Sequence, residues 1–185
     1  MFTLTVEEKQ HLLKIARNAI GENVIGEKIP VEEMAAEIMR TPCGAFVTIR
    51  NKGDLRGCIG YIVASKPLIM TVREMAVSAA TNDPRFSPLT ESELSEIDIE
   101  ISVLSPFRTI ADVSEITVGE HGLLIKKAPY QGLLLPQVAT EYEWNREQFL
   151  ENTCLKAGLP SNAWKDKDTE IQIFSAVVFG EEDFR

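Results

Sequence analysis

Cysteine is scarce in this chain, and its number is odd: Cys43, Cys58 and Cys154 are the only three in 185 residues. So sparse a set does not build the disulfide framework of a secreted domain, and it reads as reduced thiols in a cytoplasm. Histidine is scarcer still, with only His11 and His121, and neither these nor any cysteine pair has metal-ligand spacing, so no metal site is expected. No run of about 18 apolar residues is present, which excludes a membrane-spanning helix. The opening Met1-Phe2-Thr3-Leu4-Thr5-Val6-Glu7-Glu8 lacks the basic start and apolar run of a signal peptide, which again points to the cytoplasm. Basic clusters are missing too: no run of Lys and Arg exceeds two residues, as at Lys126-Lys127, and the net charge is −9. General binding to nucleic acid or to anionic membranes is therefore not expected, while a local basic pocket stays open. The chain also lacks a Walker loop, a dinucleotide-binding glycine loop and a Gly-x-Ser-x-Gly elbow, so no cofactor is expected.

What is present is an ordinary globular composition, 44% hydrophobic and 25% charged, at a length that suits one domain or one domain with a small lobe attached. Thr5-Val6-Glu7-Glu8 is a capping box, and Leu12, Ile15, Ala16, Ala19 and Ile20 follow at helical spacing, which predicts a helix over residues 5–20 stopped by Gly21. A short helix is expected from Val31 to Met39. Gly44 to Ile49 and Leu55 to Val63 flank the turn cluster Asn51-Lys52-Gly53-Asp54 and read as a hairpin. With Lys52-Gly53 as its loop, Cys58 falls opposite Val47. A second long helix is predicted from Pro67 to the region of Asn82-Asp83-Pro84, and another short helix from Thr90 to Leu94. Ile97, Ile99, Ile101 and Val103 alternate with polar residues and mark a strand. Short strands are expected at Leu123-Leu124-Ile125 and Leu133-Leu134-Leu135, a capped helix after Asn145, and a last strand from Glu170 to Phe179. This order predicts an α+β fold with a mostly antiparallel sheet.

The densest chemical signal is Leu55-Arg56-Gly57-Cys58-Ile59-Gly60. Two glycines inside an apolar strand ask for a reason, such as a bulge or the close approach of a ligand or another backbone. Arg56 and Cys58 share a face if the strand is regular, and a guanidinium near a thiol favours the reactive thiolate. The plainer reading is a small buried cysteine with glycines that serve packing. His121, in Gly119-Glu120-His121-Gly122, is a candidate base or else a turn residue bonded to backbone. Asn82-Asp83-Pro84-Arg85-Phe86 either presents Arg85 to an anion or closes an internal Asp–Arg pair.

Leu55-Arg56-Gly57-Cys58-Ile59-Gly60 resembles the hallmark segment of the AMMECR family, whose prokaryotic members are called AmmeMemoRadiSam system protein A. Further matching segments follow in order: Asp83-Pro84-Arg85-Phe86 with Pro88-Leu89, Ile101 to Leu104, Gly119 to Gly122, Leu135-Pro136-Gln137-Val138, Trp144, and Cys154 to Leu159. The resemblance covers nearly the whole chain as a single domain. It implies an α+β fold with a larger and a smaller lobe around a cleft lined by the hallmark. It also implies a setting beside Memo-like and radical S-adenosylmethionine proteins, and it supplies no established activity.

Two readings follow. In the first the chain is a thiol-dependent enzyme or a component of an enzyme system, with Cys58 as nucleophile or redox thiol, Arg56 as its electrostatic activator and His121 as a base. In the second it is a non-catalytic module for a small ligand or a protein, in which Gly57 and Gly60 expose backbone and Arg56 or Arg85 holds an anion. Both place Cys58 at a cleft edge, with room made by the two glycines and with Arg56 partly solvated. The smaller lobe is expected from segments within residues 1–40 or 107–160.

Overall fold

The computed structural model describes residues 3–30 and 35–185. In chain order the elements are α1 (Val6–Ile25), α2 (Glu37–Arg40), β1 (Ala45–Asn51), β2 (Asp54–Tyr61), α3 (Leu68–Thr81) and β3 (Ile97–Leu104). They continue with β4 (Arg108–Thr109), β5 (Gly122–Lys127), β6 (Tyr130–Leu134), α4 (Pro136–Glu141), α5 (Arg146–Lys156), β7 (Glu170–Phe174) and β8 (Ala176–Gly180). The α+β class holds, but the strands form two four-stranded sheets, ordered β2-β1-β3-β8 and β4-β7-β5-β6. The chain divides into two compact units. One comprises Met1–Leu104 with Val177–Arg185, and the other Ser105–Ala176.

In the first unit α1 starts where the sequence places it, because the Thr5 hydroxyl accepts from the Glu8 N–H and the Glu8 carboxylate accepts from the Thr5 N–H. It does not stop at Gly21. That glycine is buried within the helix, with the Ile29 side chain so near that an added methyl would lie 3.2 Å from it, and Gly26, at φ +83°, makes the left-handed cap instead. Leu12, Ile15, Ala16, Ala19 and Ile20 are buried, as their spacing predicts. Of the helix expected over Val31 to Met39, residues 31–34 lie outside the described residues; beyond them α2 is a single turn. Ala45, Val47 and Ile49 of β1 alternate with less buried neighbours, as do Ile97 and Ile99 of β3, and these side chains join Leu68, Val72, Met75, Ala76 and Ala79 of α3 in one core. β1 pairs antiparallel with both β2 and β3, and α3 packs on β1 and β2. The expected strand from Glu170 to Phe179 is two strands that part at Ser175 and join different sheets, so that Phe179 belongs to this first core.

The second unit has its own core, in which Leu123, Ile125, Ile171 and Ile173 meet Phe149, Leu150 and Cys154 of α5. The Asn145 capping box with Gln148 opens α5. The sequence reading missed α4, whose Pro136 stands in the first turn. Among the described residues no helix is long and apolar enough to cross a membrane.

Candidate functional site

The hairpin loop is the expected Lys52-Gly53, with Asn51 opposite Asp54. The register beyond it is not the expected one. Arg50 faces Leu55 but Ile49 faces Gly57, so Arg56 is the extra residue of a β-bulge. Everything after it moves by one position, and Cys58 stands opposite Thr48 rather than Val47. This carries Cys58 to the sheet face turned away from α3. Gly57, its neighbour, faces α3, where an added methyl would lie 2.1 Å from the Ala79 carbonyl oxygen.

Neither glycine leaves a vacancy beside the cysteine. The space at Gly57 is taken by the backbone of α3, and that at Gly60 by the ring of Phe46, whose nearest atom is 2.3 Å from the methyl position. The expectation that these glycines make room for a ligand does not hold: they admit parts of the protein itself.

Cys58 is half-buried, and its sulfur accepts a hydrogen bond from the Thr48 hydroxyl at 3.3 Å. Thr48 in turn stands opposite Glu100 of β3, so Cys58, Thr48 and Glu100 form a row across three strands. Cys43 and Cys154 are buried, and burial pushes both thiols up from their ordinary value. All three cysteines are free.

β2 is an edge strand, and its outer side is closed at Cys58 by the loop after α3. The Cys58 N–H donates to Asp83 Oδ2 at 2.9 Å, and the Cys58 carbonyl accepts from Arg85 Nη2 at 3.4 Å. Arg85 also grips Asp83 through Nε at 2.9 Å and Nη2 at 2.7 Å, and its backbone N–H reaches Oδ1 at 3.1 Å. Asp83 is only 4% exposed. The Arg85 guanidinium, helped by the Cys58 N–H, holds its carboxyl well below the usual carboxylate range. Arg85 thus forms the internal pair that the sequence left open.

Arg56 does not point at the sulfur as an unpaired charge. Its Nε donates to Glu93 Oε1 at 2.8 Å and its Nη1 to the Ser87 carbonyl at 2.9 Å, and its side chain is 15% exposed. The guanidinium is partly solvated, as expected, and is neutralised by Glu93, whose carboxyl it pulls down to about 2. The ring of Phe86 lies within 6.0 Å of the Arg56 guanidinium and 5.5 Å of that of Arg85. The Arg56–Glu93 ion pair and the bonds of Asp83 and Arg85 to the Cys58 backbone therefore bind residues 82–93 to the edge of β2.

His121 belongs to the second unit. Its Nδ1 accepts from the Thr117 N–H at 3.0 Å, and its backbone N–H donates to the Thr117 carbonyl. With Nδ1 occupied as an acceptor, a neutral ring carries its proton on Nε2 and is a donor there rather than a base.

The chain as a whole is similar to known proteins. A family model described as AMMECR1 matches residues 13–179. The chain belongs to the AMMECR1 family. A protein of Methanothermobacter thermautotrophicus is 46% identical over 186 residues, spanning 97% of each chain. Protein MK0488 of Methanopyrus kandleri is 42% identical over 97% of this chain and 91% of its own. Among solved structures, that of the uncharacterised protein PH0010 from Pyrococcus horikoshii matches with a TM-score of 0.85 at 35% identity, covering 98% of this chain and 95% of that one.

Within this AMMECR1 chain, Arg56, Gly57, Cys58, Gly60 and Arg85 come together around the edge of β2. The sequence reading missed Thr48 and Glu93, and it saw Asp83 in a turn with an internal Asp–Arg pair but not its bond to the Cys58 N–H. The signal for Asp83 was available: an aspartate between a helix end and proline, two residues before an arginine, is poised to bond backbone and guanidinium together. Nothing in the sequence marks Thr48, because only the bulge brings it opposite Cys58. Among the described residues no group of His, Cys, Asp and Glu is arranged to hold a metal ion.

Proposed function

We propose that this AMMECR1 chain works through the thiol of Cys58, as an enzyme or as the thiol-bearing component of a multi-protein enzyme system. The observation that supports this most directly is the contrast among its cysteines: Cys43 and Cys154 are sealed in apolar cores, whereas Cys58 is half-buried, with a hydroxyl aimed at its sulfur and both of its backbone polar groups held by a charged loop. In this reading Cys58 is the nucleophile or redox thiol and Thr48 fixes its side chain. Arg56 secures the loop through Glu93 instead of acting on the sulfur directly. The setting proposed is the cytoplasm, beside Memo-like and radical S-adenosylmethionine proteins.

The test is alkylation of the native protein with iodoacetamide, read residue by residue by mass spectrometry. Cys58 is expected to react about tenfold faster than Cys43 or Cys154, since buried thiols are inert. No reaction at Cys58 in the folded chain would sink the reading. A second reading, a non-catalytic binding module, draws on the exposure of Tyr61, Val63 and Met70 around the end of β2 and the start of α3. Cys58→Ala in the complete multi-protein system separates the two: full activity with the fold intact leaves binding as the function, and loss of activity leaves the thiol.

A further inference from the structure

An edge strand normally shows its outward N–H and C=O groups to water, and proteins blunt such edges with lysine, proline, a bulge or a covering loop. The treatment of β2 at Cys58 is more specific. A neighbouring strand would offer one acceptor to the Cys58 N–H and one donor to its carbonyl. Asp83 and Arg85 supply that pair from their side chains, at 2.9 Å and 3.4 Å. The acceptor is a carboxylate sealed to 4% exposure, which is an unfavourable group to bury and is held there by the forked contact with Arg85. A lysine side chain over the edge would have closed it without burying a charge. What the buried carboxylate adds is a fixed position for one peptide unit, the one that carries the Cys58 side chain toward Thr48.

We propose that Asp83, locked by Arg85, is a positioning residue for Cys58: the two side chains replace a fifth strand and fix the backbone from which the thiol reaches the Thr48 hydroxyl. This inference rests on the reading of Cys58 as the reacting group. Arg56 and Glu93 secure the same loop farther along, so the clip at Cys58 is one of two attachments, and its removal loosens the cysteine without freeing the whole segment.

The experiment follows amide hydrogen exchange at single-residue resolution, together with the alkylation rate of Cys58 across pH, in the full chain and in Asp83→Ala, Asp83→Asn and Arg85→Lys. Exchange at the Cys58 amide is expected to rise about tenfold or more in Asp83→Ala, the factor that follows from losing a hydrogen bond to a charged group. Ile59 and Tyr61 stand opposite Val47 and Ala45 and turn their amides toward β1 by strand alternation, so their exchange is expected to stay unchanged. The high-pH plateau of Cys58 alkylation is expected to rise in the same variant, because the released strand admits reagent. Asp83→Asn keeps an oxygen for the Cys58 N–H and is expected to restore most of the protection. Arg85→Lys, which lacks the fork, is expected to fall between the two. A merely structural Asp83 predicts something else: exchange rising together at Cys58, Ile59 and Tyr61, or an alkylation plateau that does not move, and either result overturns the proposal. Where Asp83→Ala does not fold, Arg85→Lys carries the same comparison, and a uniform rise there overturns the proposal equally. Failure of the functional reading is visible separately, as full activity of Cys58→Ala in the complete system whatever the exchange data show.

Discussion

A methyl group at residue 57 has nowhere to go. It would sit 2.1 Å from the Ala79 carbonyl oxygen, a backbone atom in the last turn of a packed helix. At residue 60 it would meet the Phe46 ring at 2.3 Å and the Ala45 carbonyl oxygen at 2.7 Å. Gly57→Ala is therefore expected to destabilise the first unit by about 3 kcal/mol or more, because neither β2 nor α3 can yield without disturbing the core between them. Gly60→Ala is expected to cost about 1–3 kcal/mol, since the ring can turn although the carbonyl cannot. Urea unfolding midpoints check both, and a Gly57→Ala protein as stable as its parent would show that the helix does not press on the strand as described. The sequence could show that two glycines in a strand needed an explanation, but not which one. Deciding between a ligand and the protein's own atoms required knowing what packs on each face of β2, and that depends on how α3 and the side chains of β1 are placed in the fold.

At the scale of elements, the strap of residues 82–93 on β2 should make itself felt in acid. Arg56 holds the Glu93 carboxyl at about 2, against an ordinary value of 4.5, and Asp83 is shifted in the same direction. A depressed folded value means that the unfolded chain takes up the proton first. The stability contributed by these carboxylates is fully present above pH 4.5 and is lost as the pH falls from there toward 2. Glu93→Gln is expected to lower stability at neutral pH by about 1–3 kcal/mol and to flatten the decline across that window. Chemical denaturation at a series of pH values measures both, and an equally steep decline in the variant would remove Glu93 from the account. The elements themselves were largely legible. The capping boxes at Thr5 and Asn145, the alternation from Ile97 to Val103 and the Lys52-Gly53 turn act within a few residues of themselves, and each stands where the sequence puts it. The misreadings are tertiary in origin. Gly21 continues a helix because Ile29 packs over it, the strand after Glu170 parts at Ser175 to serve two sheets, and a one-residue bulge at Arg56 changes the partner of Cys58. That bulge also explains why Arg56, two residues from Cys58, serves the loop and not the thiol.

At the scale of the whole molecule, the first unit is interrupted. Its sheet runs β2-β1-β3-β8, and between β3 and β8 the chain builds the entire second unit. The two ends of that unit are tied side by side: the Ser105 N–H donates to the Ser175 carbonyl at 2.8 Å, and the Ser175 N–H donates to the Ser105 hydroxyl at 2.9 Å. Each unit has its own core. Replacing residues 106–174 with a few glycine and serine residues is therefore expected to leave a first unit that folds and unfolds cooperatively, with Cys58 amide protection retained. Circular dichroism and calorimetry of the shortened chain check this, and a molten product would show that the first unit leans on the second for its stability. During synthesis on a ribosome the same arrangement imposes an order. The second unit is one unbroken stretch and can complete itself as soon as it emerges, while β3 waits with a bare flank for Val177 to Gly180. The strand that carries Cys58 therefore belongs to a sheet whose last member is made only after the whole second unit.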